Sequence, residues 1–272
     1  MPEVIIEAGH TELEYWRDLW RYRELFFFLT WRDLLVRYKQ TVIGATWSII
    51  RPLLTMVVLT VVFGRLARMP SRGVPYSLLV FCATIPWSFF GSALAESGSS
   101  LVGHSTLISK VYFPRVTIPA SSVMTSFVDL IISGALLVLL MAWYQFRPGP
   151  TVFLLPLFVL MACGASFGIG LWISALMVKY RDFRHIVPFI VQFGLYVSPV
   201  GYTSDVVPER WRLLYALNPM VGVIDGFRWS LLGSAMPLHW PSLVVSAAVV
   251  VLMLATGIAY FRATERTFAD VI

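Results

Sequence analysis

Long apolar runs limit what this chain can fold into more than any other feature. They lie near residues 41–64, 76–98, 117–145, 151–178, 186–202 and 241–262. Lipid offers no partner to a free backbone N–H or C=O, so a chain that crosses it must be helical or a closed barrel. The runs are continuous and do not alternate, which argues against a barrel. An all-α integral membrane fold with six transmembrane helices is therefore expected. The first run, 41–64, would reach about 36 Å at ~1.5 Å per residue, enough for a hydrocarbon core of about 30 Å. The fifth run is short. After it comes "LLYALNPMVGVIDGFRWSLLG" (213–233), apolar but broken by Asn218-Pro219 and by glycines. That stretch is expected to form a re-entrant or surface-lying helical pair before the last span.

Residues 1–40 are charge-rich and form a separate cytoplasmic or interfacial segment, with the six-span domain at 41–272. In "WRDLLVRYK", Trp31, Leu34, Leu35 and Tyr38 fall at i, i+3, i+4 and i+7, with Arg32, Asp33, Arg37 and Lys39 between them. Leu13, Trp16 and Trp20 continue a similar spacing upstream. This is amphipathic helix spacing. Such a helix lies flat among headgroups or docks on a partner, and both can hold. No short apolar core precedes a small-residue cleavage site here, so insertion through the first span is expected.

Hydrophobic residues make up 58 % of the chain and charged residues 13 %, against about 45–50 % and about 25 % in soluble domains. The net charge of +6 reads as positive residues flanking spans rather than a nucleic-acid footprint. With both termini inside, the inner segments hold 13 Lys and Arg and the outer segments 7, and all three lysines (Lys39, Lys110, Lys179) fall inside. The bias favours both ends in the cytoplasm.

Several chemistries are disfavoured. A phosphate-cradling P-loop needs Gly-Lys before Ser or Thr, and no Gly-Lys pair exists. His10, His104, His185 and His239 are scattered, unlike converging metal ligands. Cys82 and Cys163 sit inside apolar runs and read as small core residues. The acids near spans, Glu96, Asp129 and Asp225, share no motif, which speaks against a membrane enzyme.

Ionisable residues at bilayer depth are functional candidates. Arg51 lies about 15 Å into the first span, and Asp129 lies at a similar depth in the third. Either the two pair, or each faces its own polar cavity. Pro52 has no N–H for the carbonyl of Ser48. Gly44, Ser48, Arg51 and Thr55 share one helical face, which suits a hydrated conduit or a close subunit contact. Aromatics reach 15 %. Trp47, Trp87, Phe89, Phe90, Tyr196 and Tyr202 lie beside Pro or Gly and either line a path for sugar rings or serve as belt and packing residues. Gly164 and Gly168 form a G-x-x-x-G packing signal.

Four stretches carry a family resemblance: "RDLLVRYKQTVIGATWSIIRPLL" (32–54), "ISKVYFPRVTIP" (108–119), "VKYRDFRHIVPFIVQFGLYVSPVGY" (178–202) and "LYALNPMVGVIDGFRWSLLG" (214–233). They resemble permease subunits of ABC exporters that move lipid-linked polysaccharides, such as O-antigen and teichoic acid, across the bacterial inner membrane. The resemblance implies six spans per subunit and a homodimeric pore. It also implies two separate ATPase subunits that bind ATP and Mg, with no cofactor in this chain. His104 to Arg115 would be the coupling helix in a groove of the ATPase, through His104, Leu107, Ile108, Lys110, Val111, Tyr112, Phe113 and Arg115. Lys179, Tyr180, Arg181, Asp182 and His185 would make a second contact. Arg51 departs from the family pattern, which places an uncharged polar residue before the proline. An ABC permease for a small drug or lipid is the nearest alternative. A self-contained channel or ion-coupled carrier would need no ATPase, and a glycan-assembly enzyme would need grouped acids.

Overall fold

The computed structural model describes residues 12–39, 44–265 and 268. The boundary expected at residue 40 and the start of the first span at 41 lie outside them. So does His10. The described chain is helical, with no strand among the described residues. Helices α1 (Glu12–Arg21) and α2 (Arg23–Lys39) come first. Then follow α3 (Gly44–Leu59), which continues as a π-helical turn, Thr60–Leu66, and α4 (Tyr76–Gly103). A short α5 (Ser105–Lys110) leads to α6 (Thr117–Trp143) and α7 (Leu155–Lys179). The chain ends with α8 (Phe183–Val197), α9 (Glu209–Tyr215), α10 (Pro219–Leu232) and α11 (Trp240–Glu265).

Five stretches are long and apolar enough to cross a membrane: Thr46–Leu66, Tyr76–Gly103, Thr117–Trp143, Pro150–Lys179 and Trp240–Glu265. The fifth expected span, 186–202, differs. Its helix α8 has 15 residues, about 22 Å by helical rise, short of the ~30 Å hydrocarbon core. It stops at Ser198-Pro199, where Pro199 cannot donate an amide to continue it.

Helix α4 is the centre of the protomer, with 83 % of its apolar window buried, against 11 % for the first span. A helix apolar on every side buries every side, and α4 packs against α6, α7, α10, α3 and α8. Helices α7 and α11 meet at glycines, because a Cβ on Gly257 would run into the Gly168 carbonyl oxygen and one on Gly168 would come within 2.7 Å of the Leu254 nitrogen. The small-residue signal at Gly168 thus marks a helix seam inside the protomer. Cys82 lies in the core at 0 % exposure, and Cys163 packs at its edge.

The loops divide into two faces. Both described ends of the chain gather at one, the terminal face, together with α5 and the turn between α7 and α8. The loops 67–75 and 144–149 and the α9–α10 pair lie at the other, the far face. A hydrogen bond from Ser77 to the Tyr144 hydroxyl (2.9 Å) ties α4 to α6 there. Helix α10 begins where Asn218 accepts from the Met220 amide (3.1 Å), with Pro219 in the first turn, the pattern of a capped start. It ends at Gly233, whose φ of +64° is open to glycine but costly for other residues.

Candidate functional site

At the terminal face α2 does not lie apart from the bundle. Leu29 buries itself among Leu101, Ile108, Phe113, Val116 and Phe261. Phe27, Phe28, Trp31 and Leu35 stay exposed, as expected of a helix with one side toward lipid. The expected apolar face is therefore split: Trp31 and Leu35 point outward, while Tyr38 turns in.

Two polar clusters hold α2. Near its middle, the Arg32 guanidinium donates to Asp33 (2.7 Å) and to the His104 ring. His104 places its other ring nitrogen on the Ser100 carbonyl (2.8 Å), so Nδ1 is the donor and Nε2 the acceptor. Burial pushes the Asp33 carboxyl up, but the His104 ring and the Arg32 guanidinium beside it outweigh that and hold the group below its ordinary range. Near its end, Arg37 donates to Glu96 of α4 (2.6 Å) and forms an ion pair with Asp129 of α6. Asp129 also accepts from Tyr38 (2.9 Å) and Ser48 (2.6 Å). Glu96 accepts from Thr125 (2.7 Å) and Ser126 (3.3 Å). Counting helical rise from the Ser77–Tyr144 bond, these acids lie about 22 to 28 Å from the far face. That places them near the terminal-side edge of a hydrocarbon layer about 30 Å thick. One guanidinium thus ties three helices together through two carboxylates.

The pairing expected between Arg51 and Asp129 does not form. Asp129 is occupied by Arg37, Tyr38 and Ser48. Arg51 is exposed and makes no ion pair with a described residue. The stripe of Ser48, Arg51 and Thr55 splits in the same way: Ser48 faces α6, and the Thr55 hydroxyl folds back on the Arg51 carbonyl (3.0 Å).

The residues between α4 and α6 also divide. Ile108 and Phe113 are core residues, at 6 % and 3 % exposure. Neither is available to a partner's groove, contrary to expectation. Leu107 is partly buried beside them. His104 and Arg115 bond inward, Arg115 through its amide to Glu265 (2.7 Å) and through its guanidinium to the Glu265 carbonyl. Lys110, Val111 and Tyr112 are exposed. Lys179, Tyr180, Arg181, Asp182 and His185 are all exposed, with the Lys179 ammonium 5.3 Å from the Tyr180 ring centre.

Of the six aromatics expected along a path, three are packing residues. Trp87, Phe89 and Phe90 are at most 5 % exposed. Trp87 covers Gly194 and meets Phe90, and Phe89 meets Phe127 edge-on. Trp47 and Tyr196 are exposed at 53 % and 59 %. Tyr196 continues an exposed face of α8 with Phe189, Phe193 and Val197. Tyr202 bonds the Val197 carbonyl (3.0 Å) and the Tyr215 hydroxyl (3.0 Å).

No group of three or more His, Cys, Asp or Glu suited to a metal occurs among the described residues. What the terminal cluster offers chemically is linkage: α2 is bonded to the end of α4 through Arg32 and His104, and to Glu96 of α4 and Asp129 of α6 through Arg37. A profile of ABC-2 type transporters matches residues 24–232, a span that contains all of α2 but its first residue, the linked acids and the α9–α10 pair. The chain belongs to the ABC-2 type transporter family. Members of this family are membrane subunits and not themselves the ATPase. The O-antigen export system permease protein RfbA of Myxococcus xanthus is 29 % identical over 258 residues, covering 94 % of this chain and 98 % of that protein. The protein of the same name in Klebsiella pneumoniae is 26 % identical over 250 residues, 92 % of this chain and 95 % of its own length. This ABC-2 subunit is thus a multi-pass membrane protein that works with an ATPase partner.

Composition and periodicity did not point to Arg37 as the partner of both acids. Its place between Leu34 and Tyr38 reads as the wet side of an interfacial helix. The available signal was the need of Glu96 and Asp129 for a cation, and Arg51, deep in the first span, stood out as the candidate instead.

Proposed function

We propose that this chain is the pore-forming subunit of an ATP-driven exporter of lipid-linked polysaccharide, of the O-antigen or teichoic acid type, in the bacterial inner membrane. The relatives named for O-antigen export match over nearly their whole length, which supports the substrate class. Both termini are cytoplasmic, so the terminal face meets the ATPase. Two copies form the pore and two ATPase subunits bind them, each supplying its own ATP and Mg. The first span, with 11 % of its apolar window buried, and the exposed face of α8 are the surfaces a second copy and the glycan would use.

The single observation that carries the mechanism is the strut formed by α2. One end packs on the coupling segment through Leu29, Ile108 and Phe113. Its other end holds α4 and α6 through Arg37. An ATPase pressing on Lys110, Val111, Tyr112 and on Lys179–His185 would displace this rigid unit rather than one loop. Helices α4 and α6 would tilt with it, and the first span would follow through Ser48. No covalent chemistry on the glycan is assigned to this chain.

The test is co-purification with an ATP-binding cassette ATPase in a two-plus-two complex, followed by ATP-dependent uptake of lipid-linked glycan into inverted vesicles. Uptake that needs both ATP and this chain is expected. A chain that purifies alone and conducts without ATP contradicts the reading.

A further inference from the structure

A buried arginine sits at the far face. Arg228, on α10, is 1 % exposed and forms no ion pair among the described residues. Its donors go to main-chain carbonyls instead: Nε to Leu79 (3.1 Å), Nη1 to Tyr202 (2.7 Å) and Nη2 to Val200 (2.9 Å). Leu79 belongs to the first turn of α4. Val200 and Tyr202 belong to the non-helical connector that follows α8. The carbonyl between them, Gly201, accepts from the Tyr76 hydroxyl (2.6 Å). Three successive carbonyls of broken backbone are thus each taken by a side chain from another element. Irregular backbone beside lipid persists only where such partners exist. The planar guanidinium fork can serve divergent acceptors, whereas an ammonium is a single point.

The connector is also fixed sterically. Phe63, in the π-helical turn of the first span, lies against Gly201, where a Cβ would come within 2.6 Å of the ring. Phe63 also meets the Tyr202 ring, with centres 6.2 Å apart. Upstream, α8 carries the exposed face of Phe189, Phe193 and Tyr196, so the connector lies at the far end of that face.

We propose that Arg228 is a positioning residue for export: by holding the Val200 and Tyr202 carbonyls to the start of α4, it sets residues 198–203 as the closed outer end of the conduit. This rests on the reading of α8 as conduit lining. With the guanidinium gone, the connector loses its tie to α4, water reaches the freed carbonyls, and the end no longer closes.

The test uses the full-length chain reconstituted in vesicles loaded with carboxyfluorescein, without nucleotide. Wild type is expected to retain the dye. Arg228→Gln is expected to release it about tenfold faster or more, the change given by each ~1.4 kcal/mol lost from closure. Arg228→Lys is expected to fall between them. Monodisperse elution and a thermal unfolding transition establish that each variant is folded. A folded Arg228→Gln that holds dye like wild type overturns the proposal. Should that variant not fold, Arg228→Lys decides, with leak in favour and retention against. Failure of both to fold also overturns it, because a purely structural arginine accounts for that. Export by the complex is scored separately: a wild type that never moves glycan with ATP refutes the transport reading, whatever the leak result.

Discussion

Two arginines fasten helices at opposite ends of this protomer, and they do so with different chemistry. Arg37 binds two carboxylates, on α4 and α6. Arg228 binds three backbone carbonyls and no acid. A charge pair depends on both partners' signs and leaves a costly remainder when one is removed. A carbonyl clamp depends on the shape of the donor and on the path of the backbone. The first suits an end where force from a partner must reach several helices. The second suits an end where a broken chain must be held in one position.

The largest expected effect follows from the first arrangement. Arg37→Gln leaves Glu96 and Asp129 unneutralised beside each other. Their side chains are 34 % and 17 % exposed, so the loss should fall toward the lower end of the ~3–5 kcal/mol seen when one partner of a buried pair is deleted. Thermal unfolding in detergent measures it. The neutral triple Arg37→Gln, Glu96→Gln, Asp129→Asn should recover most of that stability. A triple as unstable as the single variant breaks the contrast between the two ends.

Gly257→Ala comes next and tests a seam that carries neither arginine. The new Cβ would meet a backbone carbonyl, and overpacking of this kind costs about 1–3 kcal/mol. Helices α7 and α11 should separate without a change in ATP-driven coupling per folded molecule. Gly201→Ala should cost less, about 1 kcal/mol, because the opposing atoms belong to the Phe63 ring rather than to backbone. It should loosen the far end only.

Asp33 gives a smaller, pH-dependent effect. Its folded carboxyl titrates below the ordinary value, so its contribution is present above about pH 4 and is lost as pH falls through the folded value. Asp33→Asn should flatten that part of the acid-unfolding curve, with a small loss of stability near neutral pH and none once the pH is below the folded value. Arg51→Gln should have the least effect on folding, within about 0.5 kcal/mol, since no described residue pairs with Arg51. A large loss would reveal a partner that the protomer alone lacks.

The long helices could be read in the sequence because length and continuous apolarity suffice to define a span. The end of α8 could be read in part, from Ser198-Pro199. How that end persists could not, because the carbonyls of Val200 to Tyr202 find their partners at Tyr76 and Arg228, far away in sequence. The terminal cluster was hidden for the same reason: Arg37, Glu96 and Asp129 each look ordinary in their own segment. Arg51 drew attention by lying inside a span, yet the exposed side of α3 carries it away from Asp129. Trp87, Phe89 and Phe90 stand near Pro86 in sequence, and only the central place of α4 makes them core.

The central claim is that α2 carries movement from the ATPase-facing loop to α4 and α6. It is tested most directly by glycan exported per ATP hydrolysed in the complex bearing the neutral triple at Arg37, Glu96 and Asp129. Hydrolysis near the wild-type rate with export reduced about tenfold or more is the expected result, equivalent to losing ~1.4 kcal/mol of coupling. An unchanged ratio of export to hydrolysis in a folded triple variant would contradict the claim.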